Sequence, residues 1–137
     1  MSDFRQLKVY DKAHVMMLDA HALAEKIKGT HHASLKNQIV RAAMSVPTNI
    51  VEGAGQRSGA DFARFLRFSL NSSSELEYHL IAARDLKALR EQQVAKVVEQ
   101  VVEVRRMLYG LLRYLELRPK VSRAIRPKRD ESGQPDT

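Results

Sequence analysis

From Phe62 to Ala83 the residues Phe62, Leu66, Ser69, Ser73, Leu76, Leu80 and Ala83 recur in alternating steps of four and three without a break. That period lines one side of an α-helix and does not fit a β-strand, whose side chains repeat every two residues. The stripe crosses Asn71-Ser72-Ser73-Ser74, a run that resembles a linker by composition. Because the register holds straight through it, the spacing predicts one continuous helix. Ser69 and Ser73 are then small residues where a neighbouring helix comes close. Ser58 and Asp61 form a capping-box pattern ahead of the stripe.

Three more segments carry the same period, and none shows clean strand alternation between turns. The first, from about Val9 to Lys28, places Ala13, Met16, Ala20, Leu23, Ala24 and Ile27 on one face and ends at Gly29-Thr30-His31-His32. The second begins near Ser34 and carries Leu35, Ile39, Ala42, Ala43, Val46, Ile50 and Val51. Pro47 lies inside it, which predicts a kink and not a stop, and Gly53 and Gly55 are read as closing it. The fourth, from about Glu91 to Leu117, repeats Val94, Val97, Val101, Val104, Leu108, Leu111 and Leu115. Beside that stripe runs another, Val98, Val102, Tyr109 and Leu112, wider together than one core face needs. The extra width predicts a second buried contact, within the bundle or between subunits. Short connections between long helices favour antiparallel neighbours. The expected architecture is therefore all-α: an antiparallel up-and-down four-helix bundle over residues 1–117 with a kinked second helix. A disordered basic C-terminal tail is expected over 118–137.

Composition excludes several classes of function. The chain has no cysteine, hence no disulfide, thiolate metal site or cysteine nucleophile. No stretch approaches the roughly 20 apolar residues of a membrane span, and Met1–Tyr10 lacks the apolar core of a signal peptide, so the chain reads as soluble and cytoplasmic. The 23 basic and 16 acidic residues leave a formal charge of +7. Without residues 118–137 the counts are 17 and 13, so the body is mildly basic and the tail accentuates it. A polyanion partner and plain solubility charge both fit this surplus.

Candidate chemistry is sparse. Gly53-Ala54-Gly55-Gln56-Arg57-Ser58-Gly59 leads into a helix N-terminus, where free N–H groups and Arg57 suit a phosphate. It lacks the P-loop ending and its strand, and a C-cap, a link and an N-cap serine explain it more simply. His14 and His21 are two turns apart, and Glu75 with His79 makes only half a metal site; no metal or other cofactor is expected. Ser45, Thr48, Asn49 and Glu52 cluster around Pro47, where a structural polar network is the simpler reading than a catalytic carboxylate. Glu77 and Arg84 flank the apolar arc of the third helix, and a partly buried charge needs a partner. They are expected to pair with each other or with residues near the kink. Arg64, Arg67, Asn71 and Tyr78 lie opposite that arc, and Lys36 and Arg41 are candidates to extend the surface. Such a mixture suits phosphate contacts and base stacking. A solvated helix face explains it equally well.

The run Gln38-Ile39-Val40-Arg41-Ala42-Ala43-Met44-Ser45-Val46-Pro47-Thr48-Asn49-Ile50-Val51-Glu52-Gly53 resembles the signature of the four-helix bundle proteins encoded in 23S ribosomal RNA intervening sequences. Arg57-Ser58, then Phe62, Arg64, Phe65 and Leu66, then Ser73, Glu75, Leu76 and Glu77, and later Ala83-Arg84-Asp85-Leu86, fit the same pattern. The resemblance spans about residues 4–117. It implies a bundle that assembles into a ring of five, which would occupy the second apolar stripe, and it implies no enzymatic activity. A related branch, the accessory variability determinants of diversity-generating retroelements, implies binding to nucleic acid and to a reverse transcriptase. Lys87 departs from the pattern where the family usually has glycine, and Arg90 where a capping hydroxyl or acid is common.

Two functions follow as expectations. One is a non-enzymatic homo-oligomer, a pentamer by resemblance, that binds RNA or DNA through Lys36, Arg41, Arg57, Arg64, Arg67 and Tyr78. The other is a protein-interaction scaffold without nucleic-acid binding, in which those residues serve only solubility. In both, Asn49, Glu52, Glu77 and Arg84 form a structural polar network.

Overall fold

A computed structural model describes residues 3–118. A short 3-10 turn, Phe4–Gln6, precedes four helices: α1 (Lys8–Ala24), α2 (Ala33–Ala54), α3 (Gly59–Asp85) and α4 (Glu91–Leu117). The tail expected over 118–137 lies, beyond Arg118, outside the described residues.

Each helix borders its neighbours in sequence, and α4 closes the square against α1, while the diagonal pairs bring no Cα atoms within 8 Å of each other. Side-chain contacts give the directions. Ser45 meets Ser72 and Val46 meets Ser69 between α2 and α3, while Glu77 meets Arg105 and Arg67 meets Glu116 between α3 and α4. In each pair a rising number on one helix matches a falling number on the next, so the neighbours are antiparallel.

The serine run that resembles a linker lies in the middle of α3, which is continuous through it. Ser69 and Ser73 are fully buried and Ser72 nearly so, while Asn71 and Ser74 face outward. The buried hydroxyls are satisfied. Ser69 Oγ donates to the Val46 carbonyl at 2.8 Å, Ser73 Oγ to the Leu70 carbonyl at 2.7 Å, and Ser72 Oγ shares a 2.7 Å hydrogen bond with Ser45 Oγ. Small side chains that bond across to α2 or back along α3 let the two helices approach without stranding a polar atom.

Pro47 is buried inside α2 and does not end it. Proline deletes one backbone donor and crowds the preceding turn. Side-chain donors gather there: Thr48 Oγ1 reaches the Met44 carbonyl at 2.8 Å, Asn49 Nδ2 the Ser45 carbonyl at 2.9 Å, and Ser69 the Val46 carbonyl.

The predicted stripes form the core. Ala13, Met16, Ala20, Leu23, Ala24 and Ile27 of the first segment are all buried, as are Ile39, Ala42, Ala43, Val46 and Ile50 of the second, the whole stripe of α3, and Val94 to Leu108 of α4. The first helix ends at Ala24 and not at Lys28, although Ile27 still reaches the core from the following turn. On α4, Leu111 and Leu115 are half-buried, and Leu112 of the second stripe is buried in their place. Val98 is half-buried, while Val102 and Tyr109 are 42% and 55% exposed.

Gly53 does not close α2; it lies inside the helix. A Cβ there would stand 2.9 Å from Phe62 Cδ1 and 3.0 Å from Phe65 Cβ, so glycine permits the approach of α3. Gly55 is the C-cap, with an ordinary φ of −82°. Positive φ occurs instead at Gly29 and at Lys87. Around Lys87 the N–H of Ala88 bonds the Ala83 carbonyl and the N–H of Lys87 bonds the Arg84 carbonyl, the Schellman pattern of a helix end.

Candidate nucleic-acid interface

The stripe of α3 turns Phe62 to Ala83 inward, so helix geometry turns Arg64, Arg67, Asn71 and Tyr78 to solvent, and all four are exposed. Arg64 lies with its guanidinium carbon 4.8 Å from the Phe65 ring centre and 5.7 Å from that of Phe68. The two rings meet edge-on at 5.6 Å, and Phe68 is 41% exposed. This is an arginine–aromatic platform, with Asp61 3.7 Å from the guanidinium. Further along the same face stand Glu75, which is exposed, and Tyr78, whose ring lies 5.9 Å from His79.

Carboxylates engage part of the expected basic surface. Arg67 pairs with Glu116 of α4. Lys36 pairs with Glu25 at 3.7 Å, at the end of α2 that meets α1, and so does not extend the α3 face. Arg41 and Arg57 are exposed and enter no ion pair among the described residues.

The expected polar quartet does not form one network. Asn49 does brace the turn at Pro47, donating also to Ser45 Oγ at 3.0 Å. Glu52 is exposed, and only its backbone carbonyl is engaged, by the Gln56 side chain. Glu77 pairs with Arg105 at 2.6 Å, and Arg84 pairs with its neighbour Asp85 at 3.0 Å. Ser45, expected in the polar cluster at Pro47, bonds both Asn49 and Ser72, and Arg105 and Ser72 complete contacts that the sequence leaves unassigned. The signal for Arg105 is its place between Val98 and Leu112, seven residues from each, where a charge in an apolar stripe calls for a partner.

In the glycine-rich link Ser58 Oγ accepts the Asp61 N–H at 3.1 Å, the N-cap contact expected of it. Among the described residues no three His, Asp or Glu side chains converge as metal ligands, and no helix is long and apolar enough to cross a membrane. Asp3, at the N-cap of the 3-10 turn, is held below the usual carboxylate range by the Arg5 backbone N–H and then by its guanidinium. It lies away from the α3 face.

The family model of the 23S rRNA-intervening sequence protein matches residues 5–110. The chain belongs to this family. No curated protein matches it. In fold the chain is similar to a protein of unknown function from the S23 ribosomal protein family of Bacteroides thetaiotaomicron VPI-5482, solved as a crystal structure at 1.70 Å. The TM-score is 0.71 at 23% identity, over 76% of this chain and 97% of that one. The family match spans the Pro47 turn, the serine-rich middle of α3 and all but the end of α4.

Proposed function

We propose that this 23S rRNA-intervening sequence protein is a non-enzymatic homo-oligomer, a ring of five, that binds RNA or DNA through a basic face. Arg41 and Arg57 supply phosphate contacts, and Arg64 with Phe65 and Phe68 supplies a stacking platform. The observation that carries the nucleic-acid reading is the arginine–aromatic platform beside an exposed ring, together with two exposed arginines in no ion pair among the described residues. Self-association is supported by the α4 ridge, because Val102 and Tyr109 carry apolar surface that intramolecular packing leaves in water.

Electrophoretic mobility shift of a structured RNA, repeated over a salt series, tests binding. The expected result is a shift at low salt that weakens steeply as salt rises, with a shallower salt slope for Arg41→Gln/Arg57→Gln. Absence of a shift at low salt overturns it. Sedimentation equilibrium tests assembly: five subunits are expected, fewer for Val102→Glu, and a monomeric wild type overturns the ring. A second reading, a scaffold that binds only protein, is favoured by the carboxylates already paired with Lys36, Arg64 and Arg67.

A further inference from the structure

At the end of the bundle where α1 finishes and α3 turns into α4, a cavity of about 870 Å³ opens to solvent. Its charged lining is Lys26, Arg84, Asp85, Lys87, Arg90 and Glu91. Asp85 is bound to Arg84 at 3.0 Å. Arg84 and Glu91 also line the neighbouring cavity of about 380 Å³, and Glu91 contributes one carboxylate in no ion pair among the described residues. Lys26, Lys87 and Arg90 remain, brought from two separate parts of the chain and in no ion pair among the described residues.

We infer that this cavity is an anion site for a linear oligophosphate, such as the triphosphate of a nucleotide or of an RNA 5′ end. Three cations against the single carboxylate of Glu91 leave the concavity positive, and a multiply charged anion among them removes the cost of their repulsion. Arginine offers a fork for two phosphate oxygens, and lysine a mobile point charge for a third. Apolar lining is limited to Ala88 and Leu89, which suits a charged ligand and not a greasy one. The volume exceeds what a single phosphate needs and leaves room for a chain of them. Two further features favour anions. Arg90 caps α4 without a side-chain hydrogen bond, leaving the first N–H groups without a side-chain cap. Lys87 keeps an ammonium at a φ of 62°, where glycine would be unstrained. The site is separate from the α3 platform and does not depend on it.

Isothermal titration of the full chain with sodium tripolyphosphate at low salt tests the inference. Saturable binding is expected, weaker by about tenfold or more in Lys87→Gly/Arg90→Gln, since each charged hydrogen bond is worth roughly a factor of ten. Lys87→Gly relieves the backbone, and a thermal melt of the double variant confirms that it folds. Lys12→Gln/Arg113→Gln, at two exposed cations that line neither cavity, serves as the control and is expected to bind tripolyphosphate as the wild type does. ATP and a short 5′-triphosphate RNA distinguish the two sources, with a 5′-hydroxyl RNA of the same sequence for comparison. No tripolyphosphate binding, equal affinity in the Lys87/Arg90 variant, an equal loss in the control, or a 5′-hydroxyl RNA as dependent on Lys87 and Arg90 as the triphosphorylated one would each overturn the proposal.

Discussion

Glu77 of α3 accepts a 2.6 Å hydrogen bond from Arg105 of α4, and the two side chains are 28% and 24% exposed. The same guanidinium reaches toward Ser73 Oγ at 3.4 Å and the Ser73 carbonyl at 3.5 Å, so one arginine ties the acid to the serine-rich turn above it. With most of both groups withdrawn from water, loss of one leaves the other partly desolvated.

Glu77→Gln or Arg105→Gln is expected to lower stability by about 1–2 kcal/mol. A double-mutant cycle by urea denaturation checks the coupling. It is expected to exceed that of Arg67 with Glu116, whose side chains are about half exposed and whose pairing is worth at most about 1 kcal/mol.

Gly53→Ala tests the approach of α2 and α3. The new methyl would meet Phe62 and Phe65 at distances that require the helices to shift, a cost of about 1–3 kcal/mol. Gly55→Ala, with its nearest neighbours at 3.6 and 3.8 Å, is expected to stay within about 0.5 kcal/mol of wild type. Chemical denaturation of the two variants side by side provides the comparison.

Lys87→Gly is expected to raise stability by about 1 kcal/mol, because a left-handed backbone penalises any side chain. A higher melting temperature is the readout. An unchanged or lower one would mean that the lysine stem makes contacts worth as much as the strain.

The serine run offers an internal control. Ser69→Leu forces three extra carbons into a fully buried position and is expected to cost about 2–3 kcal/mol or more, since it also removes the bond to the Val46 carbonyl. Asn71→Leu, two residues on but exposed, is expected to change stability by no more than about 0.5 kcal/mol. Thermal melts followed by circular dichroism separate these outcomes.

Periodicity made the bundle legible from the sequence. The stripe from Phe62 to Ala83 and the stripe from Val94 to Leu108 each place a core face on a helix, and burial of an apolar face depends mainly on its own spacing. Ser58 with Asp61 was legible for the same reason, since a cap is a contact three residues long. Pairings between helices were not. Glu77 chose Arg105, twenty-eight residues away, over Arg84 on its own helix, and Lys36 turned to Glu25 at the C-cap of α1. These choices depend on the register and rotation of neighbouring helices, which no local pattern specifies. Tertiary structure likewise decided that Gly53 serves close packing, that Lys87 takes a left-handed turn, and that Lys26 meets Lys87 and Arg90 around one cavity. Helix formation is written in spacing along the chain, whereas charge pairing and cavities arise only where separate helices come together.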